Sequence, residues 1–312
     1  MTYRHISVMT SEVVRFLNPT PGKIYVDGTL GGAGHARTIC EKILPTGILV
    51  GVDQDIDAID NARLVLKLYE PNIRLFHRNF SHLDRILREL GIAAVDGILL
   101  DLGLSLHHIE SSSRGFGFNR EEPLDMRMDI RTPLTAEDLV NEMPAEELAR
   151  VFREYGEERH AKSMAGKISA YRKHERIRTS KQLTQILGDA AYFSRWTGKK
   201  IHPATKVFMA LRIAVNEELK SLMDFMNNVP GYLNPGGRLC VLSYHSLEDR
   251  IVKNRLKWYE KECTCPPEFP RCVCHKTPEM RILTRKVVRP DEEEVKRNPM
   301  SRSAKLRVAE KI

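Results

Sequence analysis

Apolar positions in the first third of this 312-residue chain fall in short runs separated by longer amphipathic stretches. The runs at 24–27, 48–52, 73–77 and 97–101 predict strands, and the stretches between them predict helices. Strands that alternate with helices imply right-handed crossovers, hence an α/β fold with a parallel, doubly wound sheet. From about Glu110 to Val215 the period changes. Leu148, Val151, Phe152 and Tyr155 recur at helical spacing, and Thr135-x-x-Asp138 is a capping box that opens a helix. The strand pattern resumes with Gly236-Gly-Arg-Leu-Cys-Val-Leu-Ser243. The expected organisation is one α/β domain, residues 1–109 with 216–312, interrupted by a helical substrate-recognition domain at 110–215.

The turn after the first strand carries the most chemistry. Tyr25-Val26-Asp27 leads into Gly28, Gly31, Gly32 and Gly34, and a helix-compatible stretch follows from Ala36 to Leu44. Strand, glycine turn and helix start together bring bare backbone close to a ligand. The next strand ends at Asp53, roughly twenty residues further on, where an acid accepts both hydroxyls of an adenosine ribose. The dinucleotide fingerprint fails, because Arg37 stands where its third glycine belongs, and no Gly-Lys-Ser/Thr P-loop occurs. Asp27 in front of the turn repels a pyrophosphate. It suits a cationic nucleoside, as the amine and sulfonium of S-adenosylmethionine are. Gly28 to His35, Asp53, Phe80 and Asp101 all follow strand ends, so they are expected to converge on one crevice.

Composition narrows the class. The chain is long for one domain, and its 42% apolar and 29% charged residues provide for a sizeable core. No apolar run approaches the roughly 18 residues of a membrane span and no signal-peptide core opens the chain, so a cytoplasmic location is expected. Net charge is +8, yet residues 161–215 hold twelve Lys/Arg against Glu175 and Asp189. Tyr171, Tyr192, Phe193 and Trp196 lie among these bases. Such a segment matches a phosphate backbone with stacked, unpaired bases; a solvated helix face is the plainer alternative.

Ile98-Leu-Leu-Asp101-Leu-Gly103 brings an acid to the crevice mouth. That carboxylate either accepts an N–H from a target amine, holds the cofactor, or caps a helix. Ser243-Tyr-His245-Ser246 lacks a nucleophile elbow, so His245 reads as a site-lining or packing residue rather than a triad member. Cys263-x-Cys265-x6-Cys272-x-Cys274-His275 suits tetrahedral zinc, although its C-x-C spacing is tighter than usual, and an unmetallated loop is the alternative. Methylation at pyrimidine C5 commonly requires a thiolate, and the Asp101 loop has none; transfer to an exocyclic nitrogen or an oxygen does not.

Several blocks then occur in one order along nearly the whole chain: His5-x-x-Val8-Met9, Asp27-Gly-Thr-x-Gly31, Gly34-His35, Leu100-Asp-Leu-Gly-Leu-Ser105, Arg114-Gly-Phe-Gly-Phe118 and Pro123-Leu-Asp-Met-Arg-Met-Asp129. Tyr155-Gly-Glu-Glu-Arg159, His202-Pro-Ala-Thr205, Asn216-Glu-Glu-Leu219, Pro235-Gly-Gly-Arg-Leu239 and His245-Ser-Leu-Glu-Asp-Arg250 follow. With these the sequence resembles the bacterial ribosomal RNA small-subunit methyltransferase H family. The resemblance implies a Rossmann-like methyltransferase that uses S-adenosylmethionine to methylate N4 of a cytidine in 16S rRNA. It implies the small ribosomal subunit or its RNA as partner, and neither DNA nor membrane. It places the cofactor on Ala33, Gly34, His35, Asp53, Phe80, Asp101 and His108, with Asp53 on the ribose, Phe80 at the adenine and Asp101, the catalytic residue, nearest the methyl group. His108 stands where the family often carries Gln, and it still donates or accepts a hydrogen bond. Two other readings remain. A nicotinamide oxidoreductase shares the sheet and Asp53 but not the third glycine. A non-catalytic RNA-binding module with a zinc knuckle leaves the glycine turn and Asp101 unexplained.

Overall fold

A computed structural model of the protein describes residues 7–118, 120–188, 204–266, 268–269 and 271–312. His5, Tyr192, Phe193, Arg195, Trp196, Lys199, Lys200, His202 and Pro203 lie outside the described residues. The chain divides into two compact units, Met1–Gly103 with Leu219–Ile312, and Leu104–Glu218.

The first unit is an α/β sandwich around seven strands: β1 Ile24–Asp27, β2 Ile48–Asp53, β3 Ile73–His77, β4 Val95–Asp101, β5 Leu233–Ser243, β6 Met280–Ile282 and β7 Lys305–Lys311. Their order is β3-β2-β1-β4-β5-β7-β6. Alternation along each strand builds the two apolar layers. Tyr25, Leu49, Leu99, Cys240 and Leu242 face one layer, with Ile39 and Ile43 of helix Gly34–Ile43. Val26, Val50, Ile98, Leu100, Leu239 and Val241 face the other, with Leu222, Phe225 and Val229. A strand covered on both faces reads as the continuous apolar run seen in the sequence. Each of these side chains contributes about 1.5–3 kcal/mol by leaving water.

β1 to β5 pair in parallel, as the crossovers predict, but the sheet as a whole is mixed. β7 runs antiparallel to both β5 and β6. No helical crossover joins β6 to β7 to carry the chain back in the parallel sense; the short helix Glu292–Arg297 and a turn of 3-10 helix at Pro299–Ser303 lie between them. The alternation within Lys305-Leu-Arg-Val308 is the signal for β7 in the sequence.

The second unit is helical, with Ala136–Glu142, Ala145–Glu154, Ala161–Tyr171, Ser180–Leu187 and Ala204–Val215 around one core. Thr135 and Asp138 form the expected reciprocal cap, and Thr179 with Gln182 forms a second. Phe152 is fully buried in that core with Leu148, Ile168, Leu183 and Leu211. Phe152→Ala is expected to cost about 3–5 kcal/mol of stability, the range for emptying a fully packed aromatic site. Urea denaturation followed by circular dichroism measures it, and a loss under ~1 kcal/mol would show that the helices do not depend on this side chain.

Candidate active site

In the first unit the chain leaves β1 for β2 on one side and has β4 on the other, so the strand order reverses there. Loops at such a point diverge and leave a crevice beyond the carboxyl ends of the strands. Asp27, Asp53 and Asp101 are the last residues of the adjacent strands β1, β2 and β4. The glycine turn is tied to both neighbours. Gly28 N–H donates to Leu99 O at 2.9 Å, and Leu30 N–H donates to Val52 O at 3.2 Å. Thr29 Oγ1 accepts the Asp101 N–H at 2.6 Å. Gly31 N–H donates to Asp53 Oδ2 at 2.9 Å, with φ at +45° and no atom within 4 Å of where its Cβ would stand. The turn therefore leaves an open space beside a carboxylate, the shape a ligand's approach to bare backbone requires. Ala33 follows at φ +61°, strained for a residue with a Cβ, and ends the turn where helix Gly34–Ile43 begins.

Asp53 Oδ1 accepts the Asp55 N–H at 2.9 Å. Burial around the carboxylate pushes its pKa up to about 6, against the pull of the Asp55 and Gly31 N–H groups. Gln54 joins this strand end to the next one, since its Oε1 accepts from Asn79 Nδ2 at 2.7 Å. Phe80 comes next in the chain, edge-on to Phe225 at 5.7 Å, and a Cβ on Gly28 would stand 3.3 Å from its own. Six of the seven residues expected at the cofactor, all but His108, thus belong to this one unit.

The deepest part of the site is a buried charge cluster. Asp27 and His35 are 1% and 6% exposed, and Asp101 is 8% exposed. His35 Nε2 lies 3.5 Å from Asp101 Oδ2, within ion-pair reach but without hydrogen-bond geometry. Asp27 Oδ1 accepts the Thr29 N–H, while Asp27 Oδ2 has no partner among the described residues. Burial pushes the Asp27 carboxyl up to about 7; His35 opposes that rise, and Asp101 and Asp53 add to it. Tyr244 OH donates to Asp101 Oδ1 at 2.8 Å. Burial first, and then the Asp101 carboxylate, hold the Tyr244 phenol well above its ordinary pKa, so it stays protonated as the donor. Gly103 makes this arrangement fit, because a Cβ there would stand 2.7 Å from the Tyr244 ring.

Three carboxylates around an open turn, one with an unpartnered buried oxygen, match a cationic nucleoside and repel a pyrophosphate. The donor set therefore fits the methyl donor expected from the sequence. His108 belongs to the second unit, where its Nδ1 lies 3.0 Å from Ser105 Oγ and its ring lies 5.0 Å from that of Phe116. His245 forms the N-cap of helix Ser246–Glu260 in a capping box with Glu248, a packing role. Tyr244 is the residue that sequence reasoning misses. Its signal is an aromatic hydroxyl one residue past the end of β5, beside the strand that ends in Asp101.

The profile of the MraW methylase family matches residues 2–312. The chain belongs to that family. A Ribosomal RNA small subunit methyltransferase H from Desulfosudis oleivorans is 51% identical over 312 residues, covering all of both chains. A protein of the same name from Geobacter sulfurreducens is 50% identical, again over the full length of both. Among solved structures, a SAM-dependent O-methyltransferase from Thermotoga maritima aligns with 99% of this chain and 67% of its own, at 10% identity and a TM-score of 0.40.

For an MraW-family chain the buried acid has a measurable consequence. The folded Asp27 carboxyl ionises near 7 against an ordinary value of 3.8, so the folded state binds the proton more tightly than the unfolded state. Its contribution to stability is complete below about pH 4 and is lost as pH rises through about 7, where the fold must carry the buried charge. Between about pH 5 and about pH 8, ligand-free wild type is expected to lose roughly 1–3 kcal/mol more than Asp27→Asn. Denaturant titrations at the two pH values measure this, and equal losses in both proteins would mean that Asp27 does not titrate in this window.

Proposed function

We propose that this MraW-family methylase transfers a methyl group from S-adenosylmethionine to N4 of a cytidine in the 16S rRNA of the small ribosomal subunit. The observation that carries the reading is the gathering of Asp27, Asp53 and Asp101 around an open glycine turn. The relatives at about 50% identity, named for ribosomal RNA small-subunit methylation, supply the substrate. S-adenosylmethionine brings an electrophilic methyl group on a sulfonium. Asp53 accepts the ribose hydroxyls, Phe80 offers its ring to the adenine, and the backbone from Ala33 to His35 closes over the remainder. Asp27 and Asp101 supply the negative field that a cationic ligand needs in a site poor in water.

Asp101 also accepts an N–H from the target amine. The amine's lone pair is delocalised into the pyrimidine ring, so a carboxylate that fixes the N–H directs the nitrogen toward the methyl group. Tyr244 and the Gly103 N–H hold Oδ1, which keeps the carboxylate in one orientation. A covalent route through a thiolate is not available next to Asp27, since burial holds the Cys40 thiol near a pKa of about 12. Asp101→Asn keeps the shape and loses the charge, and is expected to slow single-turnover methyl transfer by about 100-fold or more. Tritium transfer from labelled cofactor into small-subunit particles, followed by nucleoside analysis, is the assay. A rate within a few fold of wild type would remove Asp101 from the chemistry, and label outside N4-methylcytidine would overturn the acceptor.

The helical unit supplies the RNA surface in this reading. Several of its bases are already engaged: Arg176 with Glu137, Asp138 and Glu142, Lys181 with Glu121, and Lys206 with Glu158. Lys162, Lys173 and Arg178 make no ion pair among the described residues. Lys162→Glu with Lys173→Glu is therefore expected to weaken RNA binding and flatten the slope of log affinity against log salt, by about 0.7–1 for each phosphate that is no longer neutralised. A salt titration with calorimetry of S-adenosylhomocysteine alongside tests this; an unchanged slope would leave these bases as a solvated face.

A further inference from the structure

One sequence motif has no role in the methyl transfer proposed above. Cys263, Cys265, Cys272 and Cys274 lie in the segment between helix Ser246–Glu260 and β6, and their four Sγ atoms all stand within 4.8 Å of one another. The Cys263–Cys272, Cys272–Cys274 and Cys263–Cys274 sulfur separations are 3.5, 3.6 and 3.7 Å. Disulfide sulfurs stand about 2.05 Å apart, so these thiols are not bonded in pairs. Sulfurs about 2.3 Å from a central tetrahedral ion stand roughly 3.8 Å from each other. These three separations lie close to that edge length, and Cys265 Sγ stands within 4.8 Å of the other three.

Hydrophobic packing does not account for this convergence. None of the described residues from 261 to 279 is buried, and Phe269 and Val273 are 51% and 60% exposed. A segment without a core of its own needs another source of order, and for small cysteine-rich segments that source is a disulfide or a metal. The backbone is arranged for thiolates. Cys265 N–H donates to Cys263 Sγ, Thr264 N–H to Cys274 Sγ and Val273 N–H to Cys265 Sγ, each at 3.3 Å. Donors aimed at sulfur stabilise its anionic, metal-binding form and orient it. The backbone within and beside each C-x-C pair thus supplies donors to the sulfurs, which the tight spacing in the sequence does not reveal.

We propose that these four cysteines hold one structural zinc ion that clips the 263–274 segment shut. Four soft thiolates gathered at one point select zinc or iron, and zinc needs no redox partner for a purely structural role. His275 directly follows Cys274 with φ at +46° and is not one of the gathered ligands. The clip is independent of the methyl-transfer reading.

The test uses full-length protein purified without chelator. Elemental analysis is expected to find about one zinc per chain. After removal of that metal, cobalt(II) is expected to restore one equivalent with the intense thiolate-to-cobalt absorption of a tetrathiolate site. Cys272→Ser with Cys274→Ser is expected to abolish both signals while S-adenosylhomocysteine binding persists, because the cofactor residues lie elsewhere in the unit. Zinc content that survives in that double variant would overturn the assignment. So would iron in place of zinc, disulfides among these cysteines in mass mapping, or wild-type protein with no zinc and no cobalt spectrum. The cobalt titration of wild type keeps the proposal testable even if the double variant fails to fold.

Discussion

Like-charge crowding at the ends of three neighbouring strands is the constraint that shapes this protein's site. β2, β1 and β4 each end in an aspartate at the same edge of the sheet; Asp27 pairs with Gly51 and Leu99, and Asp53 and Asp101 stand two residues further along. Water is largely excluded there, so burial raises the proton affinity of Asp27 and Asp53, and the charges of Asp101 and Asp53 raise that of Asp27 further. A fold that keeps such a cluster stores electrostatic cost in the absence of ligand. A cationic ligand relieves that cost, and a polyphosphate would increase it. The same cluster that opposes the ligand-free fold is thus what favours the proposed methyl donor.

The surrounding structure serves to hold that cluster in place. Backbone hydrogen bonds tie the glycine turn to β2 and β4, and the buried alternation of the strands sets the register that those bonds need. Tyr244 reaches Asp101 from the neighbouring strand β5, over a glycine that leaves room for its ring. The antiparallel end of the sheet is where the C-terminal segments return, and there the cysteine segment stands out. Its order does not come from apolar burial, in contrast to the central strands β1, β2, β4 and β5.

The helical unit follows a different logic. Its core is ordinary close packing around Phe152, and its two capping boxes set where helices begin. Its sequence carries a marked excess of bases, yet folding brings acids from 121 to 158 against several of them. A charge count along the chain therefore overstates the positive surface that a polyanion meets.

Period and spacing by themselves determined the strands, the glycine turn, the interruption by a helical insert and the acids at the strand ends. These are local: a run of β-branched residues, a capping box or a turn glycine acts through its immediate neighbours. The resemblance of ordered motifs added the family, because it draws on residues dispersed along nearly the whole chain. Only the tertiary structure decided the antiparallel return of β7, the donation of Tyr244 to Asp101, the approach of His35 to Asp101 and the neutralisation of Arg176. Each of those depends on residues far apart in sequence meeting in space, and pairwise distance has no signature in the pattern of a single chain. The four cysteines lie between the two cases. Their spacing marked them as candidates, and the separation of their sulfur atoms, set by the path of the backbone, is what makes them a metal-sized site.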